Sequence, residues 1–595
     1  MTDAFHDAAA SGDAPADPRA VQRATIIRLA TGLAQGLLLY ALYQADKSKV
    51  WPATQRETYA ALLMVFLFAP FVVLAGVSAL RWRTLAAWKG VVVVAAAGLG
   101  AYGVWSGDPG ARGVDGLGPQ TFFAVAALIF IGHHLVQPAD MERRRIARFP
   151  TYFDVTWKHG VQAVLSLGFT GAFWLLLFLA AALFKLIGVD AIEKLIRHEW
   201  FSFPATAVMF AAAVQLTDVR ANLVRGVRTV ALTLLAWLLP LMALIAAAFL
   251  LTLPFTGLEP LWKTRSATAI LLTADAFLIL LTNAAYQDGT EKTAVVLKWA
   301  ARLAGVLLVP ITVLAAYGLS LRIGQYGLSP DRIIAAACVL VAAGYAIGYA
   351  VAALRPGAWM RTLEPTNIAM AFVTTAVLLA LCTPIADPRR LSVNDQVARL
   401  EKGRVKPAEF DFDFLRFGSG RNGQAAFKRL AGSQNPAIAK AAQTAKALKA
   451  PAVRGFEAQA ASLAGVAVYP KGRALPESFV AQGGGEGLVS SCRYSPQICS
   501  AMLLDIDADG REEVLLTNGS GVDIIQNQAG TWRKVASAGG NCDTKENLNE
   551  VLKKTGGAAL SPPVLRRDLL VGDVRLPVLP AEKGCGGADL VAVKP

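Results

Sequence analysis

Asp275 is the residue whose type and position most plainly invite chemistry. It lies in the middle of the apolar run Ala267–Gln287. A carboxyl group there is costly, and it turns toward a bundle interior or a water-filled cavity. Thr282 is seven positions on and Tyr286 eleven, so the three share one helical face. Such a set can hold a proton or an ion in passage. The plainer alternative is a carboxyl that hydrogen-bonds between helices and fixes their packing.

A second cluster stands near the C-terminus, in Asp505-Ile506-Asp507-Ala508-Asp509-Gly510-Arg511-Glu512-Glu513. Carboxylates at alternate positions before a turn-forming glycine can wrap one hard cation such as Ca²⁺. Position twelve counted from Asp505 is Leu516 rather than Glu, which disfavours an EF-hand. The flanks Met502–Leu504 and Val514–Leu516 read as strands. The segment resembles the Asp-x-Asp-x-Asp-Gly-x-x-Asp turn of FG-GAP and related propeller repeats, with Glu513 in the final place. That resemblance implies Ca²⁺ ligation by the side chains of Asp505, Asp507, Asp509 and Glu513 and by the Arg511 carbonyl. One copy does not support a whole propeller. A solvated acidic hairpin is the alternative.

Other candidates are weaker. His133 and His134 are adjacent, so they point to different faces of a helix and read as an interfacial pair making separate hydrogen bonds. His159 reads as interfacial too. Gln215 and Asp218 share a face at the end of an apolar run, at interface depth. Gly483-Gly484-Gly485 is followed by no helix start with Lys and Ser, so it reads as a turn rather than a phosphate cradle. No Ser-His-Asp set or zinc-protease helix stands out, and no catalytic residue is assigned.

The elements that must position these residues are membrane spans. A spanning helix needs roughly 20 mostly apolar residues. Eleven stretches qualify: Thr25–Tyr43, Tyr59–Leu80, Ala86–Trp105, Thr121–Val136, Val161–Val189, Phe201–Val219, Thr229–Leu253, Ala267–Gln287, Ala301–Leu321, Ile333–Leu354 and Ile368–Ala386. A hydrophobic fraction of 54% and a mean hydropathy of +0.44 agree. The N-terminal stretch 1–24 is polar and lacks the basic start and cleavage site of a removable signal peptide, so the first run is expected to stay as a span. Pro70, Pro240 and Pro310 fall inside spans, each removing a backbone donor. Gly344 with Gly348, and Gly168 with Ala172, offer small faces for close helix approach. The fold expected is a polytopic α-helical membrane protein with a soluble α+β C-terminal domain. Its segments are a polar tail 1–24, a membrane domain 25–386, a helical linker region 387–465 and a β-rich domain 466–595.

The net charge of +15 does not indicate nucleic acid. Its basic residues sit in short loops at membrane ends, as in Arg81-Trp82-Arg83 and Arg143-Arg144-Arg145, where they set orientation and meet lipid headgroups. Lys and Arg number 17 on the N-terminal side against 10 on the other. This bias puts the N-terminus in the cytoplasm, and an odd number of spans then puts the C-terminal domain outside. Four of the six cysteines, Cys492, Cys499, Cys542 and Cys585, lie in that domain. Four cysteines with no histidine cluster suit two disulfides in an oxidising compartment. Of three pairings, Cys492–Cys499 with Cys542–Cys585 is favoured, because the first closes a small loop. Four separate thiols in a reducing cytosol are the alternative.

Beyond the spans, Phe410, Phe412, Phe414 and Phe417 alternate with Asp411, Asp413 and Arg416, which suits a chain docking on the membrane domain. Residues 424–450 read as one or two solvated helices. From about Val466 short β runs follow, among them Val514–Thr517, Val522–Ile525 and Leu590–Val593. Several stretches are familiar together: Tyr286-Gln287-Asp288-Gly289, Gln325-Tyr326-Gly327-Leu328-Ser329-Pro330-Asp331-Arg332, Ser392-Val393-Asn394-Asp395-Gln396-Val397-Ala398-Arg399-Leu400, then Phe410–Leu415 and Gly420-Arg421. They resemble the bacterial membrane-protein family catalogued as domain of unknown function 4153, over most of the chain to about residue 430. The resemblance implies a bacterial inner-membrane protein and carries no activity.

The function expected first is a transporter or permease-like protein with an external accessory domain. The alternative is a non-enzymatic envelope sensor or scaffold, whose external domain binds Ca²⁺ or an envelope protein partner. A lipid-linked transferase ranks last, since the external loop Ala45–Thr58 offers Asp46 and Glu57 but no dense acidic site.

Overall fold

Among the described residues, eleven helices are long and apolar enough to cross a bilayer. A computed structural model describes residues 17–109, 118–264, 266–289, 293–355, 359–446, 463, 466–482, 499–517, 522–528, 530–538, 548–558, 569–571 and 574–576. In chain order the helices are α1 (Pro18–Lys47), α2 (Arg56–Gly76), α3 (Trp82–Ser106), α4 (Pro119–Glu142) and α5 (Phe149–Leu186). A short α6 (Ala191–Arg197) precedes α7 (Glu199–Val219) and α8 (Ala221–Thr256). A short α9 (Glu259–Lys263) precedes α10 (Ala267–Tyr286), α11 (Val295–Tyr326), α12 (Pro330–Leu354) and α13 (Leu363–Leu381). All but α6 and α9 are spans. The protein is therefore a multi-pass α-helical membrane protein.

The chain divides into two compact units, Met1–Pro451 and Ala452–Pro595. In the first, the span boundaries follow local chemistry. Pro18 and Pro330 open α1 and α12, where a missing N–H costs nothing, and Asp17 and Ser329 cap them. The fourth span, short as an apolar run, is a helix of 24 residues that starts at Pro119. The fifth is longer than its apolar run, because the turns from Phe149 onward are amphipathic and bury Phe149, Tyr152, Phe153 and His159. The polar stretch after it folds as the short surface helix α6. There hydrogen bonding to Lys185 holds the Glu193 carboxyl below its usual range.

The largest core joins α8, α10, α11 and α12 around Leu239, Leu278, Leu308, Ile311 and Tyr349. A separate core forms where α2, α3 and α4 meet, around Met64, Ala96 and Val125. Close approach is bought with small residues. A Cβ on Gly36 of α1 would lie 2.4 Å from Pro204 Cα of α7, and one on Gly348 of α12 would lie 2.2 Å from Thr366 of α13. Gly168 differs from the sequence expectation. Nothing lies within 4 Å of its Cβ position, so that small face meets no neighbouring helix.

After the last span, α14 (Pro388–Glu401), a π-turn at Phe414–Gly418, α15 (Gly420–Ala431) and α16 (Pro436–Lys446) pack together. Their shared core holds Val397, Phe410, Phe412, Leu415, Phe427 and Leu430. This cap docks on the spans: Arg421 N–H donates to Gly107 O at 3.0 Å and Gln424 Nε2 to Asp108 Oδ1 at 2.9 Å.

The second unit is α+β. A five-stranded sheet runs in the order β1 (Ala467–Tyr469), β2 (Ser500–Leu504), β3 (Glu513–Thr517), β4 (Val522–Gln528), β5 (Thr531–Ala538). β1 is parallel to β2 and the other pairs are antiparallel. Helix α17 (Glu477–Ala481) packs Phe479 edge-on against Trp532, over a core with Leu503, Val514, Leu516 and Ile525. Helix α18 (Leu548–Thr555) and the pair β6 (Leu569–Val571) with β7 (Val574–Leu576) follow. The strand expected at Leu590–Val593 lies outside the described residues.

Candidate functional site

Asp275 sits halfway along α10 and is 1% exposed. One carboxyl oxygen, Oδ2, accepts a hydrogen bond from Thr312 Oγ1 of α11 at 2.8 Å. The other, Oδ1, has no partner among the described residues. Buried polar atoms usually find partners, and this carboxyl is only half engaged by the protein. Thr282 and Tyr286 are buried on the same helix. Thr282 Oγ1 also lacks a partner, while Tyr286 donates to Glu364 Oε1 at 2.7 Å.

A cavity of about 1130 Å³ reaches Asp275. Its walls run from Gln120, Thr264, Arg322 and Asp331, at the span ends on the membrane face from which α14 emerges, to Asp275 and Asn283 in depth. Thr282 and Tyr286 are not among its walls, so only Asp275 of the three-residue face meets it. A smaller cavity of about 320 Å³ lies toward the opposite face, between His134, Tyr152, Trp157 and Asn367. Asn283 lines both. There it closes a ring of hydrogen bonds: Asn283 Nδ2 to Tyr349 OH at 2.7 Å, Tyr349 OH to Asn367 Oδ1 at 2.8 Å, and Asn367 Nδ2 to Asn283 Oδ1 at 2.7 Å. Asn283, Tyr349, Asn367 and Thr312 were not singled out in the sequence, because neutral polar residues among apolar ones give no pattern until the helices are assembled.

The histidines come together across two spans. His134 Nε2 is 3.0 Å from His159 Nδ1, and His133 Nε2 is 2.8 Å from Gln137 Oε1. His133 and His134 thus keep separate partners, but His159 joins them rather than standing alone. Asp218 and Gln215 hold Arg28 of α1, a charge inside the first apolar run. Arg28 Nη1 donates to Gln215 at 2.5 Å and Nη2 to Asp218 at 2.8 Å, while Lys158 Nζ reaches the second Asp218 oxygen at 2.8 Å.

In the second unit the acidic segment forms the β2–β3 turn, with Leu504 paired to Glu513. Carboxylate oxygens of Asp505, Asp507 and Glu513 lie within 4.8 Å of one another. Glu513 is 3% exposed and is held by the Ile506 N–H at 2.9 Å. Asp509 stands apart from this group and accepts from the Arg511 N–H at 2.7 Å. Three hard oxygen donors on a tight turn fit Ca²⁺ in kind. Cys499 is buried beside this sheet. Cys492, Cys542 and Cys585 lie outside the described residues.

The family model described as domain of unknown function (DUF4153) matches residues 59–430. The chain belongs to this family. No curated protein and no solved structure matches it. Within the DUF4153 region, two of the sequence motifs pack on each other. The loop 325–332 is gripped by α14: Asp395 Oδ2 accepts from Leu328 N–H at 2.7 Å, Ser392 Oγ and Gln396 Nε2 donate to Leu328 O, and Arg399 Nη2 donates to Gln325 O at 2.9 Å. At the third motif, Gly420 has φ +58°, and a Cβ there would lie 2.3 Å from Ser106 O. The DUF4153 region therefore comprises most of the spans together with the first part of the helical cap, α14 to α15.

Proposed function

We propose that the protein is a transporter-like or permease-like membrane protein in which Asp275 is the proton- or ion-linked group. One observation carries the reading: a buried carboxylate with an unpartnered oxygen lines a large cavity whose deepest residue, Asn283, also lines a cavity toward the other face. Transport needs a polar group reachable from both faces, and ionisable residues inside spans are usually such groups. The competing reading is a lipid-filled cleft with a structural carboxyl, which the many apolar wall residues would suit. Cys338, an exposed free thiol on the wall of the large cavity, separates the two. In a Cys382→Ser background, a charged thiol reagent added from the tail side should modify Cys338. Modification by a hydrophobic reagent alone would contradict the transporter reading.

The protein is further read as a bacterial inner-membrane protein with its N-terminus cytoplasmic and its tail extracytoplasmic. The lysine and arginine bias of the loops and the odd span number support this orientation. The tail is an accessory domain that takes Ca²⁺ through Asp505, Asp507 and Glu513, with Asp509 and the Arg511 carbonyl as further ligands, and that forms the Cys492–Cys499 and Cys542–Cys585 disulfides. The three converging carboxylates favour this second, sensing role.

A further inference from the structure

On the face where the N-terminus enters, a cavity of about 1350 Å³ lies between the start of α1, the α2–α3 corner, and the α7–α8 corner. It is separate in place and in lining from the Asp275 cavity. Five arginines line it, Arg19, Arg23, Arg28, Arg220 and Arg225, against two carboxylates, Asp17 and Asp218. Both carboxylates are already engaged. Asp17 accepts from the Arg19 N–H at 3.0 Å, and Asp218 accepts from Arg28, Ser78 and Lys158.

The floor of this cavity is fixed. Arg28 is 1% exposed, and every nitrogen of its guanidinium that carries a bond here has a fixed partner: Leu74 O for Nε, Gln215 for Nη1, and Ser78 and Asp218 for Nη2. Above that floor, Arg19, Arg23 and Arg220 are exposed, and no ion pair or side-chain hydrogen bond engages them among the described residues. The first two turns of α8 supply Asn222 and Arg225 to the wall, and no side chain caps the helix start. A helix start of that kind favours an anion. Ile27, Leu80, Leu85 and Leu223 complete an apolar side, with Trp82 exposed beside them.

We propose that this cavity binds a phosphate anion, presented by an anionic phospholipid headgroup or arriving as free phosphate. Unpaired guanidinium groups match phosphate oxygens in geometry and charge. The apolar side and the exposed tryptophan suit an acyl chain entering beside them.

The test uses the full chain purified in detergent. Its melting temperature is followed against phosphatidylglycerol, phosphatidylcholine and inorganic phosphate. The parent should be stabilised by phosphatidylglycerol and not by phosphatidylcholine. The R19Q/R23Q/R220Q variant should need about tenfold more of it, since each basic group near a headgroup contributes measurably. Stabilisation by inorganic phosphate alone, lost in the same variant, assigns the site to free phosphate. Should the triple variant fail to fold, R220Q by itself must weaken the effect. The proposal is overturned if neither phosphate source separates parent from variant, or if R143Q/R144Q/R145Q, on the same face but away from the cavity, loses the effect equally.

Discussion

Thr312 and Asp275 meet across two neighbouring spans, hydroxyl to carboxyl at 2.8 Å, and leave the second carboxyl oxygen without a partner. The bond orients the carboxyl while only half satisfying it. Asp140, by contrast, has both oxygens engaged, by Arg81 and Thr84.

Removing the Thr312 hydroxyl should therefore loosen the carboxyl without unfolding the bundle. Thr312→Val is expected to lower proton-coupled flux about tenfold, the worth of one hydrogen bond to a charged group, while Thr312→Ser retains it. Flux in proteoliposomes gives the comparison. Equal flux in both variants would show that the contact does not position Asp275.

The ring of Asn283, Tyr349 and Asn367 makes a separate claim on stability. Tyr349→Phe takes away one hydroxyl and leaves two half-buried amides short of a partner. A cost of about 1–3 kcal/mol is expected, seen as a lower melting temperature in detergent. An unchanged melting temperature would mean that the ring contributes nothing net.

Arg28 is the most deeply buried ionised group of the first span. Arg28→Ala strands Gln215 and leaves Asp218 with Lys158 and Ser78. Breaking a buried pair costs about 3–5 kcal/mol. The variant should be recovered in low yield, with a melting temperature far below that of Arg81→Ala, whose guanidinium is largely exposed.

These sites were legible in the sequence to different degrees. The spans were, because a bilayer demands a run of apolar residues that little else produces. Asp275 was, because a carboxyl in such a run has few explanations. Its partner Thr312 was not, since a threonine in a span is ordinary and the contact depends on how α10 and α11 assemble. Arg28 left a readable trace, a lone arginine inside the first apolar run, but its partners come from two distant places, the end of α2 with its corner and the end of α7. Gly168 shows the converse: a small-residue spacing permits close approach without supplying a neighbour. The motif pairs 325–332 and 392–400 carried the family, yet only the fold shows that one grips the other.

The acidic turn gives a metal prediction. In full-length protein, Ca²⁺ should raise the melting temperature of the tail's unfolding step, and chelation should reverse it. Glu513→Gln should abolish the response, because Glu513 is the buried member of the carboxylate group. Asp509→Asn should weaken it less. A response that survives Glu513→Gln would move the ion elsewhere.

The central claim is that Asp275 carries protons or ions through the bundle. Its most direct measurement is the decay of an imposed pH gradient in proteoliposomes, read by a trapped pH-sensitive dye, for parent and Asp275→Asn at matched protein content. The parent should dissipate the gradient faster than protein-free vesicles. Asp275→Asn, folded by size exclusion and melting, should fall to the protein-free rate. A parent rate equal to empty vesicles, or an Asp275→Asn rate equal to the parent, would contradict it.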